Sequence, residues 1–118
     1  MRRHIALAAL TAMSLSACAG SPPPIGRGLP AAFADARPVF DKRVKEHFPV
    51  GTDAEKLLAE LHREAFTITE ASTPLNRYRF SATYEAHQFP CNLSWTIWWN
   101  AEKSLITDIA GDYGATCL

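Results

Sequence analysis

The stretch Cys91-Asn92-Leu93-Ser94-Trp95-Thr96-Ile97-Trp98-Trp99 leaves the chain few choices. Apolar and polar residues alternate along it with the period of two that belongs to a strand. Cys91, Leu93, Trp95, Ile97 and Trp99 therefore share one face, while Asn92, Ser94, Thr96 and Trp98 share the other. A second alternating run, Arg77 to Tyr84, puts Tyr78, Phe80, Ala82 and Tyr84 on one side and Arg77, Arg79, Ser81 and Thr83 on the other. Phe66 to Thr69 reads as a short strand, and Ala71 to Asn76, with Pro74, as a loop. Asn100 to Lys103 reads as a hairpin connection into a last strand, Ser104 to Ala110. The buried face of that strand is ambiguous, because Leu105 and Ile109 fall on one side and Ile106 on the other. Gly111 to Leu118 reads as a tail.

Upstream of the strands the apolar period is helical. Ala54, Leu57, Leu58, Leu61 and Ala65 form a stripe at helical spacing. Thr52 as N-cap with Glu55 three residues later spells a capping box, and Asp53 adds negative charge where the helix dipole favours it. An earlier helix is expected over Pro38 to His47, capped by Asp35, with proline in its first turn and Phe40, Val44 and His47 or Phe48 on one face. Two helices followed by strands give an α+β fold: two N-terminal helices packed on one face of a three- to four-stranded antiparallel sheet.

The N-terminus is of the secretory type. Met1-Arg2-Arg3-His4 is positive, Ile5 to Leu15 is apolar, and Ser16-Ala17 lead to Cys18. The apolar run is shorter than the roughly 20 residues that span a bilayer. The order Leu15-Ser16-Ala17-Cys18 resembles the lipobox of bacterial lipoproteins. That resemblance implies a signal peptide over residues 1–17, lipidation of Cys18, and contact with the membrane through the lipid alone. Ala19 after the cysteine is similar to what outer-membrane lipoproteins carry, which implies the periplasmic face of the outer membrane. An ordinary cleaved secretory signal is the competing reading. Residues 18–30, with Pro22-Pro23-Pro24, Gly26, Gly28 and Pro30, read as a semi-rigid tether, and 31–118 as a single α+β domain.

About one hundred residues remain after such a leader, enough for one domain with a core of marginal size. The whole chain is formally neutral, with 12 basic and 12 acidic residues. Losing Arg2 and Arg3 leaves a slight acidic excess and no polybasic run, which argues against a nucleic-acid partner. With Cys18 assigned to the anchor, Cys91 and Cys117 remain as a pair in an oxidising compartment and are expected to form a disulfide. The alternatives make Cys91 a nucleophile with His87 as base, or make His87 and both cysteines a zinc site.

The succession of helix, helix and strands, with Gly51-Thr52 leading into the Leu57-Leu58-Leu61 helix behind a lipobox, resembles the SmpA/OmlA (BamE-like) family over residues 36–111. The resemblance implies an ααβββ fold and an accessory role in envelope assembly; it assigns no functional residue to a numbered position. A related fold occurs in β-lactamase-inhibitor proteins, which implies a second reading as an inhibitor or protective protein of a periplasmic hydrolase.

No nucleotide loop, zinc motif or nucleophile elbow is present. Glu70, Glu85, Asp108 and Asp112 sit near strand ends and could meet, so a small hydrolase is the third reading, although acids at loops are mostly solvated, and no catalytic residue, cofactor or metal is assigned. The face away from the helices carries Arg77, Arg79 and Trp98, residue types enriched at binding hot spots, and these three are the expected contact surface for an envelope protein. The competing expectation places Trp98 beneath the Cys117 tail.

Overall fold

The computed structural model describes residues 20–71 and 77–118; the leader, Cys18 and most of the 71–76 loop lie outside the described residues. Two helices, α1 (Phe33–His47) and α2 (Ala54–Arg63), precede four strands, β1 (Thr67–Glu70), β2 (Phe80–Gln88), β3 (Cys91–Glu102) and β4 (Leu105–Cys117). The strands form one antiparallel meander in sequence order. This is the expected α+β architecture.

The core lies between the helices and one sheet face. Across that face the register aligns Phe80, Trp99 and Ile109, then Ala82, Ile97 and Gly111, then Tyr84, Trp95 and Tyr113. Phe40, Val44, Phe48, Leu57 and Leu61 from the helical layer close over them, and all are buried. The small residues of the middle row let α1 come close. A Cβ on Gly111 would stand 2.8 Å from Val44 Cγ2 and 3.2 Å from the Phe40 ring. Gly111→Ala is therefore expected to destabilise by about 1–3 kcal/mol, the usual range for overpacking. Urea denaturation would measure this, and Val44→Ala in the same chain should return part of the loss.

Several local expectations change. Helix α1 starts at Phe33 rather than Pro38, Ala32 occupies the N-cap position in place of Asp35, and Pro38 sits inside the helix. An interior proline costs about 3 kcal/mol in an isolated helix. Here the helix continues because Ala36, Phe40 and Val44, four apart, are all fully buried, while Ala34, whose carbonyl loses its partner, is exposed to water. The N-cap of α2 is Asp53, whose side chain accepts from Glu55 N at 2.8 Å. Thr52 is not the cap, because its hydroxyl donates to Pro49 O at 2.6 Å in the preceding turn.

β4 runs to Cys117, so no separate tail exists from Gly111 to Cys117. Its ambiguous face is resolved by a register shift: Asn100 pairs with Asp108 but Ala101 pairs with Ile106. The extra residue, Thr107, switches the alternation, so that Ile106 and Ile109 are both buried while Leu105 is exposed. The β3–β4 turn is made by Lys103 and Ser104, both at positive φ as a two-residue hairpin requires.

The largest correction concerns residues 20–30, which do not form a free tether. Pro24–Gly26 makes a 3-10 turn lying on the sheet, with Pro23 and Ile25 buried. Gly26 rests on the Trp95 indole so closely that a Cβ would be 2.6 Å from Nε1. Both helices grip this strap. Glu64 Oε1 accepts from Ile25 N at 2.8 Å, and the Arg43 guanidinium donates to Ile25 O at 3.0 Å and to Arg27 O. Composition suggested extended chain, but the cleft above Trp95 provides a place to bury it.

Candidate interaction surface

The sheet face away from the helices carries Ser81, Thr83 and Glu85 from β2, Asn92, Ser94, Thr96 and Trp98 from β3, and Asp108, Ala110 and Thr116 from β4. Trp98 is half-buried, set between Ser81 and Ala110 on the neighbouring strands. Both neighbours are small, so the indole lies along the sheet with part of its surface open. It is not beneath the chain end, since Cys117 pairs with Cys91 at the far end of β3.

Tyr78 joins Trp98, and here the sequence expectation fails. Strand β2 begins at Phe80, so the alternation does not extend back to Tyr78, which was expected on the Phe80 side. Its ring instead stacks on Trp98 with centroids 6.4 Å apart and planes inclined by 25°. The segment is held by Asn100, whose Nδ2 donates to Arg77 O and whose Oδ1 accepts from Arg79 N, each at 2.8 Å.

Arg77 completes the group. Its guanidinium lies 4.9 Å from the centre of the Tyr78 ring, donates to the Tyr78 hydroxyl at 2.8 Å and pairs with Asp108 Oδ2 at 2.9 Å. The hydrogen bond to Tyr78, and then the charge of Asp108, raise the Arg77 pKa above its ordinary value. Like any guanidinium, it stays positively charged over every accessible pH. Arg79 does not join this group: Glu70 on β1 draws its guanidinium to that edge at 2.7 Å, where it lies 5.5 Å from the Phe80 ring. The surface is therefore Arg77, Tyr78, Trp98 and Asp108, held by Asn100. Tyr78 and Asn100 were missed because their roles depend on a bend just outside the strand, which periodicity does not see.

The other expected sites resolve as follows. Cys91 and Cys117, directly opposite in the β3–β4 register, form a disulfide. The thiolate-nucleophile and zinc readings are thereby overturned, since neither sulfur is free. His87 lies on β2, not in a loop, with Nδ1 against Asn92 Oδ1. The candidate carboxylates do not converge: Glu70 pairs with Arg79, Asp108 with Arg77, and Asp112 with Arg37 at 2.8 Å. Among the described residues, no cluster of His, Cys, Asp or Glu has the arrangement of a metal site, and no helix is long and apolar enough to cross a membrane. Cys18, the expected lipidation site, lies outside the described residues.

No protein-family model, curated protein or solved structure matches the chain.

Proposed function

We propose that the protein is a lipid-anchored, non-catalytic interaction module of the bacterial envelope, held at the periplasmic face of the outer membrane through Cys18, in the manner of the BamE-like accessory proteins it resembles. The observation that carries the reading is the Arg77–Tyr78–Trp98 stack on an otherwise polar sheet face. Stacked aromatics with a cation give a flat, partly desolvated surface that binds well at small conformational cost, because the rings and guanidinium are already in place. The lipid anchor rests on the leader and the Leu15–Cys18 motif. The partner is an envelope protein that meets this face with an apolar or acidic contact.

The test is photo-crosslinking of the lipidated protein in its own envelope. Arg77→Ala with Trp98→Ala should abolish a defined protein adduct, while Arg79→Ala, which changes only the β1 edge, should retain it. Thermal stability of the double variant should stay within about 1 kcal/mol of the parent, since Arg77 is exposed and Trp98 keeps part of its surface in water. Equal capture by the double variant would move the contact elsewhere and remove this reading.

A further inference from the structure

Because the strap is packed on the domain, the entry point of the chain is fixed in space. Gly20 lies against the end of β2: a Cβ there would be 3.3 Å from His87 O and 3.4 Å from Gln88 Cβ. The Tyr84 hydroxyl donates to Ser21 O at 3.3 Å and holds the next residue. Cys18 is two residues upstream, and two residues reach at most about 7 Å. An anchor on Cys18 therefore brings the bilayer to this end of the sheet and no other.

That end has the surface such a location requires. The β2–β3 turn exposes Phe89 to 89%, and Leu118 N donates to Pro90 O at 3.0 Å, which ties the chain beyond β4 to that turn. The sequence around the turn carries no Asp, Glu, Lys or Arg: none occurs from Gly20 to Gly26 or from Ala86 to Ala101. The opposite end of the sheet also exposes apolar residues, Val50 and Leu105, but among the charges of Asp53, Glu102 and Lys103. Burying a charged group in the bilayer interface is costly, whereas an exposed phenylalanine beside an acyl anchor gains by entering it.

We propose that the tip formed by Phe89 and Pro90 is a membrane-contacting surface that seats the domain directly on the lipid, β2–β3 turn first. The proposal rests on the lipid-anchor reading of Cys18. It fixes the orientation of the protein: the strands stand on the bilayer, and the Trp98 face looks sideways along it.

The experiment places a photo-reactive benzoyl-phenylalanine at Phe89, or at Val50 as control, in the full lipidated protein reconstituted into vesicles of phosphatidylethanolamine and phosphatidylglycerol. Both positions are exposed, so the fold should persist, and an unchanged melting transition reports that it does. The expected result is phospholipid adducts at position 89 and none above background at position 50. Equal adducts at both positions, or none at 89, would overturn the orientation, as would protein–protein adducts at 89, which would make the tip a contact between copies. Intact mass of the same sample separates the anchor from the orientation. A chain without acyl mass on Cys18 overturns the anchor and this proposal with it, whereas acyl mass without lipid adducts at 89 overturns the orientation alone.

Discussion

Trp95→Ala should destabilise the domain by about 3–5 kcal/mol, the cost of emptying a large aromatic site in a core. Trp95 is 2% exposed and lies between the sheet and the strap. Its ring stacks on Tyr113 at 5.0 Å, meets Tyr84 edge-on at 5.8 Å and forms the floor on which Gly26 lies. Removing it opens a void on the sheet and takes away the surface that holds the strap. Trp98→Ala, on the opposite face, should cost no more than about 1 kcal/mol, since part of its surface remains in water. Urea denaturation of the two variants checks the contrast, and similar losses would mean that Trp98 is core. Trp95→Phe should be milder than the loss of area suggests, because the buried indole Nε1 has no hydrogen-bond partner, and removing it relieves that penalty.

Loss of the Cys91–Cys117 bridge is the second large effect expected. The bridge closes a loop with a sequence separation of 26, for which the chain-entropy relation gives about 3.5 kcal/mol. At the unfolding entropy typical of a domain near one hundred residues, that is a fall in melting temperature of roughly 15–20 °C. Cys91→Ala with Cys117→Ala, followed by calorimetry beside the oxidised parent, measures it. The double change is the right comparison because it leaves neither bridge partner as a lone thiol to mispair. A fall of only a few degrees would show that the β3–β4 ladder already restrains the unfolded chain at this end.

The parts of the fold that could be read in advance share one property: their side-chain pattern and their burial have the same period. The Leu57–Leu61 stripe, the Phe40–Val44–Phe48 face and the alternation of Cys91 to Trp99 are of this kind, and each is buried as the pattern requires. The misread parts are those where a tertiary contact overrides a local signal. Pro38 marks a helix start by its chemistry, yet Ala36 is buried upstream of it and extends the helix. Gly111 and Gly114 look like the beginning of a tail, yet Gly111 is in the sheet because α1 needs its missing side chain, and its N–H is held by Asp41 Oδ1 at 3.0 Å. In the candidate surface, Trp98 was legible from the period of β3. Its partnership with Tyr78 was not, since it depends on Asn100 holding a bend from two strands away in sequence. Arg79 obeyed a nearer attraction, to Glu70.

The strap changes what counts as the unit of folding. A boundary drawn at Ala31 on composition would cut between the helices and the segment that joins them: Ile25 and Arg27 receive Arg43 from α1, and Ile25 answers Glu64 at the end of α2. A chain beginning after Pro30 would leave Trp95 uncovered and an arginine and a glutamate without the backbone groups they bind. The smallest piece that can melt as one cooperative transition therefore starts near Gly20, and the proline-rich segment belongs to the body of the protein as fully as any strand.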